Sequence, residues 1–190
     1  MRKNLPLILK FALVIILALG IWSFFYFESS LTLRILILAL GAVGLFQIKK
    51  MPEILVLTNV YLIIYDLYNI RYGLAVPLAI IMIIVLVLSV LVFYINLEIT
   101  QEVKFTNKNL LLVYLTVISL VVLEIFLAMS YWPVDPKTKS ITITVAFYVI
   151  IKAVYLHANN MLSLKRVSGF IIAGILVLST VFSLSYFYGM

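Results

Sequence analysis

Long runs of apolar residues, each separated from the next by a short polar segment, fill the chain. A helix needs about 20 predominantly apolar residues to cross a bilayer, and in lipid the backbone must satisfy its own hydrogen bonds, which selects helices. The pattern predicts an all-α, polytopic integral membrane bundle of about seven transmembrane helices, or six if a short second or third run does not cross. The predicted spans are Leu5–Phe27, Leu31–Ile48, Ile54–Ile70, Leu74–Leu97, Leu110–Tyr131, Ile141–Ala158 and Val167–Tyr188.

The segments between the runs contain residues that stop helices. Pro52 follows the second run, and Arg71–Tyr72–Gly73 closes the third. The segment Trp132–Pro133–Val134–Asp135–Pro136 is typical of a rigid turn, because closely spaced prolines disfavour helix and Asp favours turn geometry. The longest polar segment, Glu98–Asn109, is too short for a soluble domain. Residues 1–190 are therefore expected to form a single transmembrane domain.

The composition excludes several other classes of protein. The chain is 66% hydrophobic and 11% charged, with a mean hydropathy of +1.26, whereas soluble domains are about 45–50% apolar and about 25% charged. A soluble domain and a disordered chain are therefore excluded. The net charge of +7 is spread over short connectors, which indicates anchoring to anionic membrane lipids and not nucleic-acid binding.

The residue types that hold metals and cofactors are scarce. Cysteine is absent and His157 is the single histidine, so thiolate chemistry and a His-built metal site are not expected. No cofactor is predicted. The expected partners are membrane lipids and other membrane subunits.

The basic residues predict an orientation for the bundle. With the N-terminus in the cytoplasm, eight of the fourteen Lys and Arg residues fall on the inner side and four on the outer side. Trp22 and Trp132, the two tryptophans, then both lie at the outer interface, where aromatic belts form. Seven spans place the C-terminus outside, and the Lys, Ile and Asn usage suggests a prokaryotic cytoplasmic membrane.

Two ionisable residues lie deep within the predicted fifth and sixth spans, which a tight turn joins. At 1.5 Å per residue, Glu124 is about 10 Å and Lys152 about 17 Å from that turn. Charges inside a membrane are costly and face protein or water. A structural Glu124–Lys152 pair is the favoured interpretation. The alternative is a polar cavity in which these residues meet a proton, an ion or a ligand headgroup.

A second pair of charges is predicted near the outer ends of the second and third spans. Arg34 and Asp66 would lie at similar depth on adjacent antiparallel helices. An ion pair between them is the favoured interpretation, with Arg71 as an alternative partner. The alternative is that the same residues form a functional site.

Tyrosines repeat at helical spacing beside these charges. Tyr148, Lys152 and Tyr155 share one face of the sixth span, and Tyr61, Tyr65, Tyr68 and Tyr72 do the same in the third. Such stripes favour packing and interfacial hydrogen bonding, with a ligand cavity that uses cation–π contacts as the alternative. The candidate ligand-binding residues are Glu124, Lys152, Tyr148, Tyr155, Asp66 and Arg34.

Three functions are compatible with these features. The first is a non-catalytic membrane subunit or scaffold of a larger assembly, since the loops are short and no catalytic motif is present. The second is a small-molecule transporter or its integral substrate-binding component, with a polar site near Glu124 and Lys152. In size and hydropathy the chain resembles the small substrate-binding subunits of energy-coupling-factor transporters. The third is an intramembrane lipid-modifying enzyme that uses Glu124 and Asp66 as acid–base groups.

Overall fold

The structure is a computed structural model that describes residues 5–47, 52–100, 108–159, 161 and 163–187. Side chains are described for residues 8–47, 52–97, 109–159, 161, 163 and 167–183. The predicted end of the second span at Ile48, most of the Glu98–Asn109 segment and the predicted end of the seventh span at Tyr188 lie outside these residues.

The described residues form seven α-helices and no strand, which confirms the predicted all-helical membrane bundle. Five of the helices (α1 and α3–α6) are long and apolar enough to cross a membrane, while α2 and the described part of α7 are shorter apolar helices. The helices are α1 Leu5–Phe27, α2 Leu31–Phe46, α3 Pro52–Gly73, α4 Leu78–Thr100, α5 Lys108–Tyr131, α6 Pro136–Ala158 and α7 Leu164–Phe187.

Helix α3 lies at the centre of the bundle, although it is less apolar than the other candidate spans. It packs against α1, α2, α4 and α6, whereas α7 packs mainly on α6. More than half of the α3 span is buried, the largest share among the candidate spans. Lipid solvates apolar side chains as well as the protein interior does, so the helix with the most polar groups gains most by lying inside.

Small residues bring the peripheral helix α2 close to α1 and α3. Gly41 and Gly44 are buried in α2. A Cβ atom on Gly44 would lie 3.2 Å from the backbone Cα of Leu55 on α3, and one on Gly41 would lie 3.2 Å from Ile21 on α1. The two glycines of the segment Gly41–Ala42–Val43–Gly44 thus allow close helix packing, as small residues do between membrane helices.

The turn before α6 is shorter than the sequence pattern suggests. Helix α6 begins at Pro136, whereas the predicted span begins at Ile141. The Asp135 carboxylate accepts hydrogen bonds from the amides of Lys137 and Thr138 at 3.0 and 3.2 Å, and Pro136 occupies the first helical position, which suits its fixed φ. Lys137 and Lys139, which precede the predicted span, therefore belong to the first turn of α6.

The segment between α3 and α4 is not helical. The predicted fourth span begins at Leu74, whereas α4 begins at Leu78. Ala75 has a φ of 52°, which an L-residue adopts only at some cost, and Pro77 precedes the helix. The loops at residues 28–30, 74–77 and 132–135 share one end of the up-and-down bundle, called here the Glu28 end.

Candidate functional site

A network of charged and polar side chains lies at the Glu28 end of the bundle, centred on a carboxylate that the sequence analysis did not select. Glu28 follows α1 directly and is only 2% exposed. Its Oε2 atom lies 3.1 Å from Nζ of Lys137 on α6 and accepts a 3.2 Å hydrogen bond from the Tyr65 hydroxyl on α3. The amide of Ser30 donates to Oε1 at 2.8 Å. One carboxylate thus joins α1, α3, α6 and the start of α2.

These partners also set the ionisation of Glu28. Burial disfavours the charged form, but the Ser30 amide, the Lys137 ammonium and the Tyr65 hydroxyl all favour it. Together they hold the pKa of the Glu28 carboxyl below its ordinary value of 4.5. The carboxylate is therefore stabilised as an anion and is not poised to act as a proton donor near neutral pH.

Arg34 closes the C-terminus of α1. Its Nε atom donates to the Glu28 carbonyl at 2.7 Å and its Nη2 atom to the Phe25 carbonyl at 2.8 Å. Carbonyls at the end of a helix lack intrahelical partners and carry partial negative charge, so a guanidinium is well suited there. The predicted Arg34–Asp66 ion pair is therefore wrong, because the backbone of α1 occupies the guanidinium.

Asp66 faces α1 and not a cation. Its carboxylate interacts with the Ser23 hydroxyl, and its Oδ1 atom is buried without a hydrogen-bond partner among the described residues. The alternative partner, Arg71, forms no ion pair with Asp66 in the described structure. Its guanidinium lies 5.3 Å from the ring centroid of Tyr72.

A second lysine of α6 is buried beside two tyrosine rings. Lys139 is 3% exposed, and its Nζ atom lies 4.8 Å from the ring centroid of Tyr72 and 5.2 Å from that of Tyr68. It donates a 2.7 Å hydrogen bond to the Tyr72 hydroxyl, which donates in turn to the Ser130 carbonyl on α5 at 3.2 Å. Both described ion pairs involve other lysines, so the Lys139 ammonium is held by ring faces and a hydroxyl.

The predicted cluster of Tyr148, Lys152 and Tyr155 is present on α6, but its anion differs from the predicted one. The Lys152 ammonium lies 5.8 and 5.9 Å from the two ring centroids. It forms an ion pair with Oε1 of Glu53 on α3 at 2.5 Å. The predicted Glu124–Lys152 pair is therefore wrong, because Lys152 reaches from α6 to α3 and not to α5.

Glu124 lies on the outer face of α5. On the opposite face of that helix, Ile118, Val122 and Phe126 are buried, whereas Glu124 is exposed. Within the described part of the chain it forms no hydrogen bond and no ion pair. It is seven residues from the end of α5 at Tyr131, which corresponds to about 10 Å along the helix.

A cavity of about 310 Å³ lies between α2, α3 and α6. Its polar groups are the hydroxyls of Thr58, Tyr61 and Thr144. Thr58 and Thr144 donate to backbone carbonyls of their own helices at 2.8 and 2.7 Å. The Tyr61 hydroxyl has no hydrogen-bond partner among the described residues. Apolar side chains form the rest of the wall, namely Ile37, Leu40, Ile54, Leu57, Ile141 and Val145.

Four charged residues that bond to other helices are not among the candidates selected from the sequence, namely Glu28, Glu53, Lys137 and Lys139. The two acids stand at the ends of apolar runs, where a charge ordinarily meets water. For the lysines a signal was available, because Asp followed by Pro is typical of a helix start. A helix that begins at Pro136 places Lys137 on the same face as Tyr148.

These features define the chain as an all-helical membrane protein in which salt bridges and hydrogen bonds of Glu28, Glu53, Lys137, Lys139 and Lys152 join different helices. Comparisons with protein-family models, with curated proteins and with solved structures find no match to this chain. In the part of the chain that the structure describes, no three His, Asp or Glu side chains lie close enough together to hold a metal ion.

Proposed function

We propose that this chain is a non-catalytic membrane subunit that serves as a rigid scaffold within a larger assembly. The observation that carries the proposal is the pair of ion bridges on α6. Lys137 near its start bonds to Glu28, and Lys152 near its end bonds to Glu53. Bridges at both ends of one helix fix its position against the rest of the bundle, as charged pairs do when they set helix register.

The experiment is native mass spectrometry of the chain extracted from its own membrane into lipid nanodiscs. The proposal expects a complex of defined mass in which a second protein is present in fixed ratio. Recovery of the chain alone, under conditions that preserve known membrane complexes of the same cells, would contradict it.

The enzyme alternative finds little support in the geometry. Asp66 faces Ser23 of α1, and Glu124 lies on the exposed face of α5. An acid–base pair must reach the same reacting atoms, and these two carboxylates lie on different faces of the bundle.

A small-molecule-binding component is the second candidate, and the cavity between α2, α3 and α6 supports it. Ligand sites commonly measure about 300–1,000 Å³ and are apolar with a few polar groups, as this cavity is. The supported site thus differs from the one predicted near Glu124 and Lys152. The ligand would be a small apolar molecule that accepts a hydrogen bond from the Tyr61 hydroxyl.

The same mass measurement tests this candidate. A retained small molecule should disappear in Thr144→Phe, which fills the cavity, and persist in Thr144→Val, which preserves its size. Retention in both variants would place the molecule elsewhere, and its absence from the wild-type chain would remove the candidate.

A further inference from the structure

The exposed surface of α5 combines a carboxylate with two smaller side chains, Thr116 and Ala128, on either side of it. The exposed residues of this face, called here the Glu124 face, are Leu112, Thr116, Leu120, Glu124 and Ala128. They repeat every four residues, so each is the neighbour of the next along an inclined ridge of the helix surface. Beside Glu124, Ala128 is small enough for a second transmembrane helix to approach closely, and Thr116 offers a hydroxyl to such a helix.

Glu124 is the feature of this face that lipid alone does not accommodate. A carboxylate inside a span faces a protein interior, water or a partner of opposite charge. Here it is exposed about 10 Å from the end of α5, and no described residue of its own chain bonds to it. A partner of opposite charge is therefore expected from outside the chain.

We infer that the Glu124 face binds a transmembrane helix of a different protein that carries a Lys or Arg side chain at the depth of Glu124. This inference rests on the proposed role as a membrane subunit, and it identifies the surface and the chemistry of the partner.

Charge complementarity argues against a second copy of this chain. A two-fold symmetric dimer through this face would bring Glu124 opposite itself, since such an interface pairs the same patch of both copies. The lysines of α6 are already bonded to Glu28, Glu53 and Tyr72. A basic side chain from another protein satisfies the carboxylate without breaking these contacts.

The test uses the full chain in phosphatidylcholine vesicles with a designed helical peptide of leucine and alanine, labelled for energy transfer. One peptide carries Lys at the depth of Glu124, seven residues from the peptide end that lies beside Tyr131 of α5. The other peptide carries Leu at the same position. The Lys peptide should bind about threefold to about twentyfold more tightly, the range measured for polar contacts between membrane helices. Glu124→Gln should abolish the difference.

Two variants test whether the face, and not the charge alone, makes the site. Ala128→Phe keeps the carboxylate but blocks close approach, so it should weaken binding of the Lys peptide. The matched control is Ala79→Phe, at an exposed alanine of α4, which should leave binding unchanged. Equal binding of the Lys and Leu peptides, or equal effects of the two Phe variants, would overturn the inference.

The absence of cysteine from the sequence makes the alternative occupant easy to test. A single Ala128→Cys chain in native membranes should form no disulfide between copies under mild oxidation. With a photoreactive crosslinker attached to that thiol, it should crosslink to another protein on illumination, and Glu124→Gln should reduce this crosslink. Disulfide-linked copies would overturn the inference. Native mass spectrometry distinguishes this inference from the proposed scaffold role. If the Glu124→Gln chain still retains a second protein stably, the Glu124 face is not the binding surface, but the scaffold role stands. If the wild-type chain retains no second protein, the scaffold role itself is refuted.

Discussion

Glu28 and Lys137 are 109 residues apart in the sequence, yet their side chains form a 3.1 Å ion pair at one end of the bundle. The Glu28 side chain is almost completely buried, while the Lys137 side chain is 34% exposed. The pair joins the α1–α2 loop to the first turn of α6. Its value to the fold depends on the buried anion, which loses its cation if the lysine is removed.

Lys137→Met should destabilise the fold and Lys139→Met should not, although the two lysines are separated by one residue. Loss of Lys137 leaves Glu28 buried without its cation, and we expect the free energy of unfolding to fall by about 1–3 kcal/mol, with some of the full cost relieved by exposure. Lys139 pairs with no described carboxylate, so an apolar replacement removes a desolvation cost. The free energy of unfolding of Lys139→Met should be unchanged or higher by up to about 2 kcal/mol. Thermal unfolding in detergent measures both, and a larger loss in Lys139→Met than in Lys137→Met would contradict the assignment.

Glu28 should make the bundle sensitive to acid. Because the pKa of Glu28 lies below its ordinary value of 4.5 in the folded state, its contribution to stability is fully present above that value. The contribution is lost as the pH falls through the lower folded-state pKa. The melting temperature should therefore decrease below about pH 4.5. The decrease should be shallower in Glu28→Gln, and Lys137→Met should reduce it too. A Glu28→Gln chain with the wild-type pH profile would assign the acid sensitivity to other groups.

A double-mutant cycle should assign the anion that pairs with Lys152. Lys152→Met and Glu53→Gln should each reduce stability by about 1 kcal/mol, because both side chains of this pair are partly exposed. The double variant should cost less than the sum of the two single changes. The matched cycle of Lys152→Met with Glu124→Gln should be additive. Coupling in the second cycle and none in the first would restore the pair expected from the sequence.

The sequence predicts the helices better than the contacts between them, because helices depend on local pattern and contacts do not. Spans are encoded locally by apolar length, so α1 could be predicted with the bounds Leu5–Phe27 that the structure shows. The partner of a charge is not local. Glu124 and Lys152 are close along a predicted hairpin, but which face each presents depends on the packing of α6 against α3. A rotation of half a turn about the helix axis separates an interior charge from an exposed one.

The start of α6 was predicted five residues too late for a different reason. Asp135–Pro136 contains the chemistry of a helix start, but the same residues also favour a turn. In the structure both are true, since the turn ends at Asp135 and the helix begins with Pro136. Because the predicted helix started later, at Ile141, Lys137 and Lys139 were not counted among the interior charges. The network around Glu28 was therefore not predicted.

Gly44→Leu should weaken the attachment of α2, which touches the bundle through small residues. A Cβ at position 44 would lie 3.2 Å from the Cα of Leu55 and 3.3 Å from its Cδ1 atom, so a leucine there forces the two helix backbones apart. We expect a loss of about 1–3 kcal/mol, as overpacking costs in other cores. Gly169→Leu in α7 is the matched control, because a Cβ atom at position 169 would meet no atom of a neighbouring element within 4 Å, and this variant should melt like the wild type. Thermal unfolding in detergent compares the two variants. Equal melting of both variants would show that α2 does not depend on this close contact.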